Sequence, residues 1–244
     1  MVRTPAGSAI RARYRRLCNV GQMNQPVSAA RVAELLGDAL PDPAQIPAEA
    51  FDLVAATREL VEAVVMTDVD AATRADAAAE LRRVAEVLGA ARRADQLFLA
   101  RHADGRVESL TQAGSGRLNP QAPPIEWIER PKEPPPGSPP TPVEVRARCT
   151  FGPQHAGSPG RVYGGVLACA LDEVLGIAVL VSGATGMTVA LTTSLKGGTP
   201  YGVPVDIVGR YTGSEGRKSF ASGEVVVDGT VTAEATAIFV GERR

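Results

Sequence analysis

Apolar residues recur at helical spacing through the first half of the chain. A short helix is predicted from Ser28, which can cap its start, to Gly37, which ends it. A second helix is predicted after Pro47, and a longer one after Asp70, whose side chain can act as its N-cap. The apolar positions that repeat three or four residues apart are Phe51, Val54, Leu60, Val61 and Val65, and then Leu81, Val84, Leu88 and Ala91. We therefore predict a helical hairpin extension over residues 28–102, which buries little by itself and needs another domain or subunit to pack on.

After Pro142 the pattern changes to strict alternation of apolar and polar residues. Residues 143–149 alternate as a half-buried strand does. Four more strand-like runs follow, at 187–195, 203–211, 219–227 and 230–240. Asp228 and Gly229 separate the last two runs and are the strongest short signal for a β-hairpin. This order predicts an antiparallel sheet in the C-terminal half.

A long apolar segment from Tyr163 to Ser182 interrupts the strands. Its length would suit a membrane span, but Asp172 and Glu173 stand at its middle, where charges are most costly in a bilayer. We predict a buried helix around which the sheet curves. The fold class is therefore α+β, with a central helix wrapped by an antiparallel sheet and a helical extension before it.

Two further segments complete the predicted organisation. Ten of the 19 prolines fall between Asn119 and Pro142, which excludes helix and central strand and predicts an extended linker over residues 103–142. Trp127 and Ile128 can hold this linker against the body, and the alternative is a polyproline ligand for an SH3-like partner. Residues 1–27 are predicted to be a basic tail, with a targeting presequence or anion-binding arm as the alternative. The C-terminal domain then spans residues 143–244.

Composition narrows the classes of function. The chain has 244 residues with 26 basic and 27 acidic side chains, so its net charge of −1 gives no reason to expect a nucleic acid or membrane partner. Its three cysteines form no C-x-x-C pair and it has two histidines, so neither a zinc site nor another metal or cofactor is predicted. A reducing, cytoplasmic location is expected. Serine-hydrolase elbows and nucleotide-binding glycine motifs are absent from the sequence.

The apolar helix carries the candidate chemistry. Gly164 and Gly165 at its start leave backbone N–H groups uncovered, which suits a developing oxyanion; close packing against a strand is the alternative. Asp172 is costly to desolvate unless it is paired or used in catalysis. In the alternative without catalysis, Asp172 bonds a backbone group and Glu173 reaches solvent or an arginine.

These residues carry a resemblance to a known family. The run GRVYGGVL at 160–167, followed by LDEVLG at 171–176, resembles the helix motif G-x-V-H-G-G…D-E-x-x-G of hotdog-fold acyl-CoA thioesterases, in the PaaI-like, 4-hydroxybenzoyl-CoA thioesterase superfamily. The run TVAL at 188–191, ending in Thr199-Pro200, is similar to the family's T-x-x-L…R-P-x-P strand. The resemblance covers roughly residues 143–240. It departs from the family at Tyr163, where histidine is usual, and at Gly197-Gly198, where Arg-Pro is frequent.

The resemblance implies roles for individual residues. Asp172 matches the acid that attacks the thioester or activates a water, and Gly165 matches the residue whose N–H polarises the carbonyl. Thr188 matches a serine or threonine that positions the water or the carboxylate. Tyr163 can still donate a hydrogen bond, but a phenol does not titrate near neutral pH as histidine does. On the substrate side, the candidate contacts are Gly164, Arg161 and Lys196, the two cations being equally well explained as solvated surface charges.

Spacing predicts that the site is shared between chains. Gly165 and Asp172 are seven residues apart, or about 10 Å along one helix, too far to act on the same thioester carbonyl. A homodimer or tetramer with antiparallel helices would bring the two together from different chains. The leading interpretation is thus hydrolysis of an acyl-CoA thioester. A non-hydrolysing acyl-CoA-binding protein is the alternative, and an interaction scaffold built on the linker and the helices is a third.

Overall fold

The computed structural model describes residues 40–93, 98–135 and 137–241. The predicted basic tail and the helix predicted from Ser28 lie outside the described residues. Two helices come first, α1 (Ala48–Met66) and α2 (Ala71–Gly89). The prediction that Asp70 caps the longer helix is confirmed, because its side chain accepts a hydrogen bond of 2.9 Å from the backbone N–H of Thr73.

Helices α1 and α2 bury little of their own surface. In the described part of the chain, Val54 is the one buried residue of α1, and α2 has none. Arg58 of α1 ties the pair to the body by donating hydrogen bonds to the backbone carbonyls of Asn119, Pro120 and Ala122. The helices therefore form a layer outside the sheet, as their limited apolar faces predict.

Ten strands follow the helices. They are β1 (Leu99–Arg101), β2 (Val107–Ser109), β3 (Ile125–Glu129), β4 (Val143–Thr150), β5 (Ala156–Ser158), β6 (Arg161–Val162), β7 (Met187–Leu195), β8 (Pro204–Glu215), β9 (Lys218–Val227) and β10 (Thr230–Val240). Six of them form one sheet in the order β3-β4-β8-β9-β10-β7, with every pair antiparallel. Asp228 and Gly229 form the turn between β9 and β10 with φ of 46° and 77°, the left-handed conformation that a two-residue hairpin turn requires.

The central helix α3 (Gly164–Val181) packs on this sheet. Its buried side chains are Leu167, Ala170, Leu171, Val174, Leu175, Ala178, Val179 and Val181. Two paired glycines of the sheet, Gly209 and Gly223, let the helix approach closely: a Cβ on Gly209 would lie 2.9 Å from the carbonyl oxygen of Val174. Helix α3 is long and apolar enough to cross a membrane, but its apolar face packs on the sheet as a core helix does. The predicted α+β class, with an antiparallel sheet around a central helix, is confirmed.

The segment predicted to be a linker contributes to the structure in two places. Strand β2 pairs with β1 as a small hairpin, and β3 adds an edge strand to the main sheet beside β4. Because β1 covers Leu99–Arg101, the end of the segment predicted as a helical extension is a strand and not a helix. An edge position agrees with the surrounding prolines, which exclude a central strand but not an edge strand. Trp127 packs against the core, whereas Ile128 is exposed. The division of the chain into four parts stays a prediction.

Candidate active site

A cleft of about 900 Å³ lies beside the C-terminal half of α3. Its walls are α3, the start of β7, strand β3 and the β1–β2 hairpin with the turn that follows it. Two of the predicted catalytic residues, Asp172 and Thr188, line this cleft. The structure thus brings together the acid and the hydroxyl that the sequence pattern assigned to one site.

Asp172 is held on the face of α3 that the sheet leaves uncovered. Its neighbours Leu171 and Val174 are fully buried under the sheet, which fixes the helix and therefore the direction of the carboxylate. The Oδ1 atom is buried and accepts no hydrogen bond from the described residues. A carboxylate oxygen that is desolvated and unpaired is destabilised in the free protein. The Asp172 side chain also lines the cleft, where it can meet a water or substrate atom, and among the described residues no backbone group bonds its Oδ1.

Glu173, the next residue, forms hydrogen bonds with a distant part of the chain. Its carboxylate accepts a hydrogen bond of 2.7 Å from Nε2 of Gln112 and one of 2.5 Å from the hydroxyl of Ser115. Gly114 lies between these donors, where a Cβ would come 2.6 Å from Oε2 of Glu173. Glu173 therefore binds the turn at residues 112–115 to α3, instead of reaching solvent or an arginine.

A charged cluster stiffens the β1–β2 hairpin where it faces the cleft. Glu108 accepts a hydrogen bond of 2.6 Å from Nε of Arg117, and its other oxygen lies 2.7 Å from Nε2 of His102. Nη2 of Arg106 lies 3.0 Å from Nδ1 of His102. A guanidinium only donates and a carboxylate only accepts, so a neutral His102 that is protonated on Nε2 satisfies both partners.

Hydrogen bonding also decides the charge of Glu108. Burial alone would raise the pKa of Glu108, but the hydrogen bonds from Arg117 and His102 outweigh it, so the pKa lies below its usual range. Glu108 is therefore ionised near neutral pH and keeps the hairpin in place.

The start of α3 holds the other predicted site residues. Tyr163 is the N-cap residue, its side chain is 61% exposed, and it makes no capping hydrogen bond. A Cβ on Gly165 would lie 2.8 Å from Cε1 of Tyr163, so the phenol ring lies over Gly165. A Cβ on Gly164 would meet Leu195 of β7 at the same distance of 2.8 Å. Close packing is therefore one reason for the glycine pair. The oxyanion role stays a prediction, which rests on the fact that the first amides of a helix have no acceptor within it.

The predicted cations lie near this end of the helix and are exposed. Arg161 is in β6, whose backbone bridges Pro200, and a Cβ on Gly198 would lie 2.6 Å from Cδ of Arg161. The departure from the family pattern at Gly198 therefore makes room for the Arg161 side chain. Lys196 follows β7, and its Nζ lies 3.0 Å from Glu234.

Within one chain the predicted residues form two groups. Asp172 and Thr188 line the cleft, while Gly165 and Tyr163 do not. Along α3 the rise from Gly165 to Asp172 is about 10 Å. A single chain therefore does not place the helix-start amides and the carboxylate on one carbonyl group.

Several residues of the cleft could not be found by motif. They are His102, Glu108, Ser109, Gln112, Ser115, Arg117, Trp127 and Arg130. The run Gly114-Ser115-Gly116 predicts only a turn, and the structure has a turn there. Nothing local indicates that this turn packs against a helix about 60 residues further along the chain.

Comparisons with known proteins agree with this structure. No family model matches the chain. The acyl-coenzyme A thioesterase THEM4 of Xenopus laevis is 35% identical over 102 residues, which are 40% of this chain and 46% of that protein. The chain thus matches less than half the length of this curated relative. The solved structure of RHA08564, a thioesterase superfamily protein, is 28% identical with a TM-score of 0.66, covering 83% of this chain and 93% of that one.

The RHA08564 match extends well beyond the sheet and the central helix, since it covers 83% of the chain. The antiparallel sheet around α3 has the hotdog architecture that the motifs at 160–176 and 188–200 imply. The chain has the hotdog fold and is similar in sequence and structure to proteins of the thioesterase superfamily.

Proposed function

We propose that this protein hydrolyses acyl-CoA thioesters to a free acid and coenzyme A. The observation that carries the proposal is the buried, unpaired Oδ1 of Asp172 in a cleft of about 900 Å³ that Thr188 of β7 also lines. A carboxylate without a structural partner on an apolar helix is what a nucleophile or general base requires. The identity with an acyl-coenzyme A thioesterase supports the same activity.

The proposed chemistry needs only side chains and backbone of this protein. As general base, Asp172 takes a proton from water while the water oxygen bonds to the thioester carbon. The C–S bond then breaks, and the proton passes to the departing thiolate. As nucleophile, Asp172 itself bonds to that carbon, the C–S bond breaks and coenzyme A leaves as the thiolate. Water then hydrolyses the resulting anhydride, which frees Asp172 and supplies the proton that the thiolate takes up. In both routes negative charge develops on the carbonyl oxygen, where a backbone N–H at the start of α3 stabilises it.

The proposed site is completed by a second copy of the chain. Strand β7 is an edge strand of nine residues, and the run from Met187 to Leu195 contains no charge and no proline. Natural proteins place charged residues or prolines on free sheet edges to prevent pairing. An edge without them therefore favours pairing with another strand. Val189 and Leu195 on this edge are each 59% exposed. Pairing of two β7 edges about a two-fold axis would bring Gly165 of the partner toward Asp172.

The test is release of thiol from a panel of acyl-CoA substrates of different chain length. We expect wild-type turnover and a loss of about 10²–10⁴ in kcat for Asp172→Asn, the range for removal of an acid–base group. Asp206→Asn is the matched control, since Asp206 is half-exposed and pairs with Arg148 away from the cleft. Near-full activity of Asp172→Asn with an unchanged circular dichroism spectrum would contradict the mechanism.

A non-hydrolysing acyl-CoA-binding protein is the second candidate. The observation in its favour is Tyr163, which stands where the family usually has histidine and whose ring packs over Gly165. Binding of coenzyme A measured by calorimetry, with no thiol released from any substrate in the panel, would select this function over hydrolysis.

A further inference from the structure

Two buried hydrogen-bond donors without an acceptor lie in the wall of the cleft that β2 and β3 form. The Nε atom of Arg130 and the hydroxyl of Ser109 are both buried and have no hydrogen-bond partner in the described residues. Both residues line the same cleft as Asp172. An unsatisfied buried donor costs free energy in the empty protein, and an acceptor on a ligand recovers that cost.

Two carboxylates of the cleft are already paired. Glu108 is engaged by Arg117 and His102, and Glu173 is engaged by Gln112 and Ser115. None of these carboxylates bonds Arg130. The guanidinium of Arg130 is therefore a cation of the cleft that has room for an anion; Arg106 also lines the cleft, and its Nη2 lies 3.0 Å from Nδ1 of His102.

The nearest carboxylate to Arg130 is a poor partner. Oε1 of Glu133 lies 3.6 Å from Nη2 of Arg130, beyond hydrogen-bond distance for a charged pair. That same oxygen has no hydrogen bond of its own. Burial raises the pKa of Glu133, which weakens its hold on Arg130 still further.

The position of Arg130 is fixed before any ligand binds. Its guanidinium carbon lies 5.5 Å from the centre of the Trp127 ring, a cation–π contact, and its side chain is 11% exposed. Burial, with nearby Arg106 adding to it, lowers the pKa of Arg130, although a guanidinium stays charged at physiological pH. A preorganised, desolvated guanidinium is the group that best binds a carboxylate.

The lining of the cleft also has an apolar part. Ile125, Trp127, Ile177, Leu180 and Phe239 contribute to its lining. Methylene groups or a ring fit such a surface, whereas a chain ending in a methyl group would leave Arg130 and Ser109 unsatisfied.

We propose that Arg130 and Ser109 bind a carboxylate at the far end of the acyl group, so that the preferred substrates are CoA monothioesters of dicarboxylic acids. This inference rests on the proposed thioesterase function. A carboxylate oxygen accepts from Nε of Arg130 and its other oxygen from the Ser109 hydroxyl. Neither residue takes part in cleavage of the thioester; they select the acyl group.

The experiment compares matched pairs of thioesters with the full chain. Glutaryl-CoA is compared with pentanoyl-CoA, and adipoyl-CoA with hexanoyl-CoA, so that each pair differs only in its terminal group. We expect wild-type kcat/KM to favour the carboxylate member by about 10- to 100-fold, the range for a charge-assisted hydrogen bond. In Arg130→Met and in Ser109→Ala that ratio should fall toward one. Arg148→Met, on a half-exposed cation outside the cleft, should leave the ratio unchanged.

A phosphate of coenzyme A could bind the same donors. A second set of substrates therefore distinguishes binding of the acyl carboxylate from binding of a phosphate. The same pairs are made as N-acetylcysteamine thioesters, which carry no phosphate. Persistence of the ratio with these substrates supports binding of the acyl carboxylate. If the ratio is lost there, or if Arg130→Met raises KM equally for both members of each pair, the donors bind phosphate and the proposal is wrong.

Two controls show whether a lost preference comes from misfolding, and whether the preference exists without hydrolysis. Arg130→Met with Glu133→Gln preserves charge balance, and it should lose the ratio as the single variant does. Binding of glutaryl-CoA and pentanoyl-CoA to Asp172→Asn is measured by calorimetry. A preference for glutaryl-CoA that depends on Arg130, in a protein that hydrolyses nothing, would refute the proposed function but support this inference. A wild type with no preference in either rate or binding would overturn it.

Discussion

The hydroxyl of Ser115 lies 2.5 Å from Oε1 of Glu173 and joins two parts of the chain that are 58 residues apart. Glu173 is adjacent to Asp172, so the contact attaches the turn after the β1–β2 hairpin directly beside the candidate catalytic carboxylate. One side of the cleft is therefore supplied by residues 99–117, which precede the main sheet, and the central helix carries both the acid and the residue that holds this wall in place.

Removal of the Glu173 contact should loosen this wall without removing the acid. In Glu173→Ala the side chains of Gln112 and Ser115 lose their acceptor, and we expect a loss of about 1–3 kcal/mol in the free energy of unfolding. Amide hydrogen exchange should accelerate over residues 99–118, since their contact with α3 is weakened. Glu215→Ala, on an exposed glutamate at the end of β8, serves as control. Unchanged exchange over 99–118 would mean that the wall is held by other contacts.

The ion pair at Glu108 predicts how stability depends on pH. The folded state lowers the pKa of Glu108, whereas the unfolded chain has an ordinary glutamate pKa of about 4.3. The stabilisation is therefore complete above that value and is lost as the pH falls through the lower pKa of the folded state. Glu108→Gln removes the carboxylate, so the difference between wild type and variant in unfolding free energy should shrink on acidification. Chemical denaturation at a series of pH values measures it, and a difference that is constant or grows below pH of about 4 would contradict the assignment.

The free edge of β7 predicts where the proposed dimer can be broken. A lysine in place of Val189 puts a charge on an edge that has none, which is how natural sheets prevent edge pairing. We expect Val189→Lys to be monomeric by light scattering and to lose activity together with its dimer. Val203, which is 40% exposed in the loop before β8, provides the matched control as Val203→Lys. A Val189→Lys protein that remains dimeric would place the interface elsewhere.

The sequence predicts the regular part of this fold well. Residues 187–195 and 230–240 are strands with the predicted bounds, because strict alternation and the Asp228-Gly229 turn are local signals. Helix α3 also matches its prediction, with Tyr163 and Ser182 as its caps, because a long apolar run in a protein of this size is buried in the core.

The cleft is less predictable, for a physical reason. Asp172 and Thr188 stand in recognisable motifs, but Glu173 acquires its role only through a turn far away in the chain. Strand β3 lies in a proline-rich segment, and only its pairing with β4 makes it a strand. Arg130 carries no motif either, and its burial against Trp127 follows from that pairing. Long-range contacts of this kind leave no periodic signal in the sequence.

The sharing of each site between two chains can be tested by complementation. About 10 Å along α3 separates Gly165 from Asp172, so a working site needs the amide of one chain and the carboxylate of the other. Asp172→Asn removes the carboxylate, and Gly165→Pro removes the backbone donor, which proline lacks. Each variant alone should be inactive. In a mixed dimer one site carries both lesions and the other carries neither, so about half of wild-type activity should return if the sites are independent.

The proline variant needs a control, because any side chain at position 165 meets the Tyr163 ring: a Cβ there would lie 2.8 Å from Cε1. Gly165→Ala introduces the same crowding but keeps the N–H, so it should retain far more activity than Gly165→Pro if the donor matters. Co-expression with two different tags, followed by purification of the doubly tagged dimer, supplies the mixed species. Recovery of about half of the activity supports a shared site, as the two-fold symmetry requires. A stable mixed dimer without activity, beside an active Gly165→Ala protein, would place the amide and the carboxylate of each site in one chain.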